Sequence, residues 1–407
     1  MIDRRGFLGM SSTAIAGSSW LTARRATGPA ELDQFIRTKM GRDHIPGVAA
    51  CLVRNGSIAW SNGYGWADLE KRIPMTIDSL QNIGSVSKTF TTTALLQQLE
   101  ANRLQLDDDV SRHLPFPVRN PKHPDRPITV RLLLTHHSSI RDGKAYGRDY
   151  ACGDPRTPLA DWMRAYLAAD GRDYDPAENF HPWAPTEKFD YCNVAYGLIA
   201  YLVEVLSGVP FGDYCRSRIF EPLGMAETSW YLRDIDRAKH AIPYTYVENA
   251  KARGPNWGGV DLGVVREPGG PPPRAVAGNY LPNCLYNHPN YPDGFLRTSV
   301  RQLSRYATAY LNSGALGSGG RILAAESVAR MFETQKTVGS RSQGLTWYAS
   351  ARVRDQPTWG HGGSDPGINT DIRLLASEGL AAIAFMNTNG VRPDEISHRI
   401  LELAPQL

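Results

Sequence analysis

Residues 82–90 read NIGSVSKTF and run straight into KTFTTTALLQQLEANRL (88–104), a segment that reads as a long helix. Positions i and i+3 of a helix share a face, so Ser85 Oγ and Lys88 Nζ are expected side by side at its first turn. A hydroxyl beside an amine in a partly dry site makes a nucleophile without histidine, because the amine can take the hydroxyl proton. Alone the pattern is weak. Ser-x-x-Lys arises by chance about once in a chain of this size. Its weight depends on partners elsewhere.

Two stretches supply candidates. FDYCNVAYGL (189–198) puts Tyr191 and Asn193 just before an apolar helix. Asn193 is a natural N-cap there, and Tyr191 a natural core aromatic with a satisfied hydroxyl. WGHGGSDPGINT (359–370) carries His361-Gly362-Gly363-Ser364 after a turn and leading into a strand. A glycine-rich turn with a solvated histidine is the plain reading. The functional reading uses the glycines, which let the backbone approach a ligand and aim a main-chain N–H at it.

Taken in order, Ser-x-x-Lys, Tyr-x-Asn and His-Gly-Gly resemble the serine β-lactamase and penicillin-binding-protein superfamily, whose motif set is S-x-x-K, S-D-N and K-T-G. The chain looks most like the class C β-lactamase-related branch, which also holds esterases, D-amino-acid peptidases and acyltransferases. ITVRLLLTHHSSI (128–140) is similar to that branch's LLTHTSG segment, with Ser139 where glycine is usual. FGDYCRSRIFEPLGMAETSW (211–230), YPDGFLRTSVRQLSRYATAYLNSG (291–314) and RILAAESVARMF (321–332) extend the match, which runs from about residue 31 to 405.

The resemblance implies an acyl-enzyme on Ser85, with Lys88 and Tyr191 as proton carriers. Either could deprotonate the serine, a choice the sequence leaves open, and two groups so coupled titrate as a pair. It also implies an oxyanion site made by the backbone N–H groups of Ser85 and of Ser364, which follows Gly363. Asn193 would hold the acyl amide of a substrate or orient Lys88. His361 stands where lactamases often carry lysine, and a neutral imidazole is no permanent anion anchor. The site is therefore expected to lack a fixed cation, which favours a carboxylic ester or a D-peptide over a β-lactam. The readings that follow are a serine hydrolase first, an acyltransferase using the same acyl-enzyme second, and a penicillin-binding protein with little turnover third.

The fold expected is α/β (α+β) and β-lactamase-like. An antiparallel sheet flanked by helices comes from both chain ends, residues 29–80 and 295–407, around a mostly helical middle at 81–294. GVAACLVRNGSIAWSNGYG (47–65) reads as a hairpin around Asn-Gly. TWYASARVR (346–354), INTDIRLLA (368–376) and LAAIAFMNT (380–388) read as further strands, and EISHRILELA (395–404) as a closing helix. A Gly/Pro-rich insertion at 254–294 is too long for an ordinary connection. It is expected to roof the cleft, with Trp257, Tyr280, Tyr286 and Tyr291 as an aromatic wall.

Composition sets the outer limits. The 407 residues are 42% hydrophobic and 21% charged, with a formal net charge of +4, ordinary for a globular protein. Residues 1–28 hold four arginines against one aspartate, so a chain starting after them carries about +1. That near-neutral body argues against nucleic acid. DRRGFLG followed by a short apolar stretch resembles a twin-arginine export signal and implies a periplasmic or secreted protein. No later segment is long and apolar enough for a membrane span.

The five cysteines, Cys51, Cys152, Cys192, Cys215 and Cys284, are scattered and are expected to be mostly buried small hydrophobes, with at least one free thiol. No metal or other cofactor is expected. His136-His137 are adjacent and read as structural, as do Asp107, Asp108 and Asp109. The partner is a small-molecule ester, amide or D-peptide, and the oligomeric state is left open.

Overall fold

The computed structural model describes residues 28–248, 264–267, 269–270 and 274–407. Most of the export-signal-like segment and Trp257 lie outside them. The main sheet has nine strands, numbered here in chain order: β1 (Gly47–Arg54), β2 (Ser57–Asp68), β3 (Ile73–Pro74), β4 (Lys336–Val338), β5 (Arg341–Gln343), β6 (Tyr348–Val353), β7 (Gln356–Asp365), β8 (Ile368–Leu375) and β9 (Leu380–Met386). In space they run β4-β5-β6-β7-β8-β9-β1-β2-β3, and every pairing is antiparallel. The two chain ends meet at β1–β9, where Val48 faces Met386 and Arg54 faces Leu380. The β1–β2 hairpin turns at Asn55 and Gly56, both at positive φ (49° and 81°), as a type I′ turn requires.

Five helices cover the sheet or carry site residues: α1 (Gly28–Arg42), α2 (Ser87–Glu100), α3 (Val194–Ser207), α4 (Val300–Leu311) and α5 (Asp394–Leu403). Strands β1 and β9 carry apolar residues at almost every position because both faces of the sheet are covered. Val48, Ala50, Leu52, Ala382 and Ala384 pack with Leu32 and Ile36 of α1 and Ile396 and Ile400 of α5. Ala49, Cys51, Val53, Ile383 and Phe385 face the other way, into the large core shared with α2, α3 and α4.

Helix α2 is buried on nearly every side, which explains its run of threonines. Thr89, Thr92 and Thr93 return their hydroxyls to the carbonyls of Val86, Lys88 and Thr89 at 2.8–2.9 Å, and Thr91 donates to Pro292 O at 2.7 Å. Each hydroxyl is thus satisfied inside the core, which makes a threonine far cheaper to bury.

The His-Gly-Gly-Ser segment does follow a turn, at 354–355, and is itself part of a strand: it lies within β7, paired with β8 from Trp359↔Leu374 to Asp365↔Ile368. Cys51, Cys192 and Cys215 are buried thiols, as expected of most of the cysteines, while Cys152 and Cys284, which the sequence reading did not pair, form a disulfide with Cα atoms 5.7 Å apart. The bridge lies beside the small ladder that joins Ala151 and Cys152 to Asn287 and Tyr286. The aromatic wall is also placed differently. Tyr280 packs against Tyr244 and Tyr246, and Tyr291 sits among Phe211, Trp230 and Tyr231. Tyr286 packs behind Tyr150 and donates to Pro366 O. Tyr280 and Tyr286 are held in the body by short paired strands, and Tyr291 by the 3-10 turn Tyr291–Asp293.

Ser139, where glycine is usual, has φ +63° and compensates by accepting a hydrogen bond from Asn120 Nδ2 at 3.0 Å. Asp107 pairs with Arg131, Asp108 with His113, and Asp109 caps the turn Val110–Arg112.

Candidate active site

Ser85 sits in a single 3-10 turn, Gly84–Val86, that abuts α2. Its neighbour Gly84 is held at φ +52°, and a Cβ there would stand 2.9 Å from Ser364 N on β7. On the facing strand, a Cβ at Gly363 would meet Ile83 O at 2.1 Å. Thr370 Oγ1 of β8 donates to that same Ile83 carbonyl at 2.7 Å. Glycine on both sides thus lets two main chains touch. The contact brings the turn that bears Ser85 against the Gly363–Ser364 backbone.

Lys88 follows one turn later and is fully buried. Its Nζ lies 3.1 Å from Ser85 Oγ, 2.7 Å from Asn193 Oδ1 and 2.7 Å from the main-chain oxygen of Asp293. Burial lowers its pKa; Asp293, Asp142 and Asp365 oppose that through their charge. Asp293 is itself pushed up to about 7 by burial, against the pull of Lys88 and the bond from Tyr146 Oη at 2.6 Å. Asp365, which accepts from Tyr150 Oη at 3.1 Å, is raised by burial well above the usual carboxylate range.

Tyr191 stacks on His136, with ring centroids 4.3 Å apart, and presents its ring 5.0 Å from Lys88 Nζ. Its hydroxyl is buried and close enough to Ser85 to interact, yet forms no hydrogen bond of good geometry. Burial raises its pKa well above 10. His136 is kept neutral by burial and accepts from Cys192 N at Nδ1, 3.1 Å away.

Asn193 stands at the start of α3 but does not cap it with its own side chain. The capping group is Asp142, from the segment after LLTHHSSI. Its carboxylate accepts from Asn193 N at 2.9 and 3.0 Å, from Val194 N at 2.9 Å and from Asn193 Nδ2 at 2.8 Å. The Asn193 amide is therefore released from capping and turned to Lys88.

His361 donates Nδ1–H to Gly362 O at 2.7 Å, and burial lowers its pKa to about 3, so it is neutral. The expected absence of a fixed cation is nevertheless overturned. Arg341 of β5 and Arg373 of β8 flank the ring of Tyr348, with guanidinium carbons 4.8 and 5.2 Å from its centroid. Tyr348 Oη accepts from Gly362 N at 3.1 Å, which ties both arginines to the His-Gly-Gly strand. Arg373 pairs through Nε with Asp371 at 3.1 Å, while its Nη1 and the Nε of Arg341 carry no hydrogen bond.

One cavity of ≈ 640 Å³ is lined by Asp142, Asp293, Asp365, Arg341, Tyr348 and Arg373, together with Tyr146, Tyr150, Gly294 and Pro393. Ser85, Tyr191, Asn193, His361, Gly363 and Ser364 line it, and Lys88 stands behind Ser85. Sequence reasoning missed Asp142, Asp293, Asp365, Arg341 and Arg373. Asp365 directly follows the His-Gly-Gly-Ser segment, Asp293 lies in YPDGFLRT and Asp142 stands two residues after LLTHHSSI, whereas Arg341 and Arg373 had no neighbouring signal. Among the described residues no cluster of His, Cys, Asp or Glu could hold a metal ion, and no single helix is long and apolar enough to cross a membrane.

Comparison with known proteins places this geometry. The family model described as Beta-lactamase matches residues 32–405. Protein flp of Staphylococcus aureus (strain N315) is 28% identical over 215 residues, 53% of this chain and 41% of that protein. Unguisins hydrolase ungD' of Aspergillus campestris is 26% identical over 376 residues, 87% of this chain and 61% of that one. The chain thus spans less than two thirds of these curated relatives. The D-amino acid amidase of Ochrobactrum anthropi SV3, solved with L-phenylalanine, superposes with a TM-score of 0.71 at 21% identity, covering 92% of this chain and 98% of that one. With the family model spanning almost all of the described body and the three motifs converging on one cavity, the chain belongs to the Beta-lactamase family.

Proposed function

We propose that this protein is a serine hydrolase that acylates Ser85 with an ester or amide and then releases the acyl group to water. The observation that carries the reading is the set of three partners around Lys88 Nζ. A neutral amine has two N–H groups and one lone pair. Asn193 Oδ1 and Asp293 O are fixed acceptors at 2.7 Å, and they take the two N–H groups. The lone pair is then left for Ser85 Oγ at 3.1 Å. Burial lowers the Lys88 pKa and so favours that neutral form.

In acylation Ser85 Oγ attacks the substrate carbonyl and its proton passes to Lys88. The oxyanion is received by the main-chain N–H groups of Ser85 and Ser364, held together by the Gly84–Gly363 contact. The leaving group takes a proton through Tyr191 or Lys88, and water later reverses these roles. Tyr191 Oη, buried beside Ser85 without a hydrogen bond of good geometry, lies within reach of this transfer.

The substrate class is a carboxylic ester or an amide, D-peptides included. The amidase and hydrolase relatives support it. The two cationic side chains that line the cavity, Arg341 and Arg373, favour a substrate with a carboxylate. We also place the protein outside the cytoplasm, supported by the twin-arginine-like leader and by the Cys152–Cys284 bridge, a chemistry of oxidising compartments.

The test is intact mass of wild type and Ser85→Ala after mixing with a short p-nitrophenyl ester, a D-alanyl peptide and a penicillin. A transient adduct with the ester or peptide, absent from the variant, supports the reading. A lasting adduct with penicillin alone, or turnover that survives Ser85→Ala, overturns it.

A further inference from the structure

We infer that Asp142 is a positioning residue for the proton transfer at Ser85, acting through the Asn193 amide. This rests on the acyl-enzyme reading above. An ionised carboxylate only accepts hydrogen bonds, and Asp142 receives Asn193 N, Val194 N, Asn193 Nδ2 and the Cys192 thiol, the last at 3.4 Å. With an acceptor on that side, the Asn193 amide can present only its nitrogen to Asp142. Its oxygen must then face Lys88. Were the amide reversed, Nδ2 would donate toward Lys88, and the amine would have to turn its lone pair to Asn193 and away from Ser85.

Asp142 is itself rigidly held. Gly143 N donates to Tyr166 Oη at 2.5 Å, Tyr166 Oη donates to Arg141 O at 2.8 Å, and Arg141 N donates to Asn179 O at 2.9 Å. A Cβ at Gly143 would stand 2.9 Å from Glu178 O and from Tyr166 Oη, so the backbone is locked on both sides. The order of control is a clamped loop, a carboxylate, an amide, an amine and a hydroxyl. The carboxylate makes no hydrogen bond to Ser85 or Lys88; its partners are Cys192, Asn193 and Val194. Its negative charge also holds the Lys88 pKa up against burial.

The test compares Asp142→Asn, which keeps shape but removes the charge and one acceptor, with Asp142→Glu, which keeps the charge but misplaces it. Each is made in the wild-type and Asn193→Ala backgrounds. Acylation is followed by intact mass and by the pH profile of kcat/KM on a p-nitrophenyl ester, normalised to folded protein by circular dichroism. In the wild-type background both variants are expected to lose about 10²-fold in kcat/KM, the cost of a misplaced catalytic group. In Asn193→Ala the same changes should cost less than about 3-fold, because the amide they act through is gone. Asp142→Asn should also move the acid limb, which follows Lys88 deprotonation, to lower pH, while Asp142→Glu leaves it near its wild-type position. Equal losses in both backgrounds, or an acid limb unmoved in Asp142→Asn, would show a helix cap only and overturn the inference. If Asp142→Asn does not fold, the Asp142→Glu cycle decides alone. Absence of any Ser85 adduct in wild type overturns the hydrolase reading and this inference with it. A normal wild-type adduct with unaffected Asp142 variants overturns this inference alone.

Discussion

Adding one methyl group at Gly363 should disable the site while sparing the nucleophile. An alanine Cβ there would lie 2.1 Å from Ile83 O, 3.1 Å from Ile83 C and 2.4 Å from Thr370 Oγ1. A carbon–oxygen contact needs about 1 Å more than the first of these distances allows. The obstacle is main chain, already engaged by the Thr370 hydroxyl at 2.7 Å, so no side chain can swing aside. Strand β7 and the Ser85 turn must separate by about 1 Å. Overpacking of this kind costs about 1–3 kcal/mol of stability. It also moves the Ser364 N–H relative to Ser85, and losing one oxyanion donor costs about 10²–10³ in kcat. Gly362→Ala is the stability control, since its Cβ would meet nothing closer than Tyr348 Oη at 3.5 Å. Thermal melts of both variants, and the kinetics of Gly363→Ala on a p-nitrophenyl ester, measure these effects. Gly363→Ala that melts like Gly362→Ala and keeps kcat within about 3-fold of wild type would refute the close-approach argument.

Other perturbations test separate parts of the site. Tyr191→Phe removes a buried, unbonded hydroxyl, so it should be as stable as wild type or about 1 kcal/mol more so, yet lose about 10²-fold or more in kcat; a stability loss without a rate loss would contradict this. Asp293 has a folded-state pKa raised from 3.8 to about 7, so the stability tied to its proton is present below about pH 4 and lost as pH rises through 7. Asp293→Asn should therefore melt increasingly above wild type between pH 4 and pH 8, and a difference constant with pH would refute the shift. Cys284→Ser opens a bridge spanning 132 residues and should cost up to about 4–5 kcal/mol in the chain-entropy view. Dithiothreitol should lower the wild-type melting temperature to that of the variant and leave the variant unmoved.

The sequence by itself determined the motifs and their chemistry. Ser85 and Lys88 are legible as a pair because helical geometry, 3-10 at Ser85 and α from Ser87, puts i and i+3 on one face, and their 3.1 Å separation follows from that local rule. The β1–β2 hairpin is legible because Asn55-Gly56 accepts positive φ at both positions. The remainder depends on residues whose meaning arises only on folding. Nothing near Asp142 in the chain announces that it caps a helix beginning more than fifty residues later, a bond that turns Asn193 from an apparent N-cap into a partner of Lys88. Nothing around Arg341 or Arg373 announces the positive charge that His361 lacks, because only the assembled sheet brings both against the ring of Tyr348. The aromatic residues of 280–291 mislead for the same reason: composition says that a ring will be buried, and only the packing of the chain decides against which surface. Local periodicity sets what a residue can do, while the burial and charge that set its pKa and its partner come from segments far away in sequence.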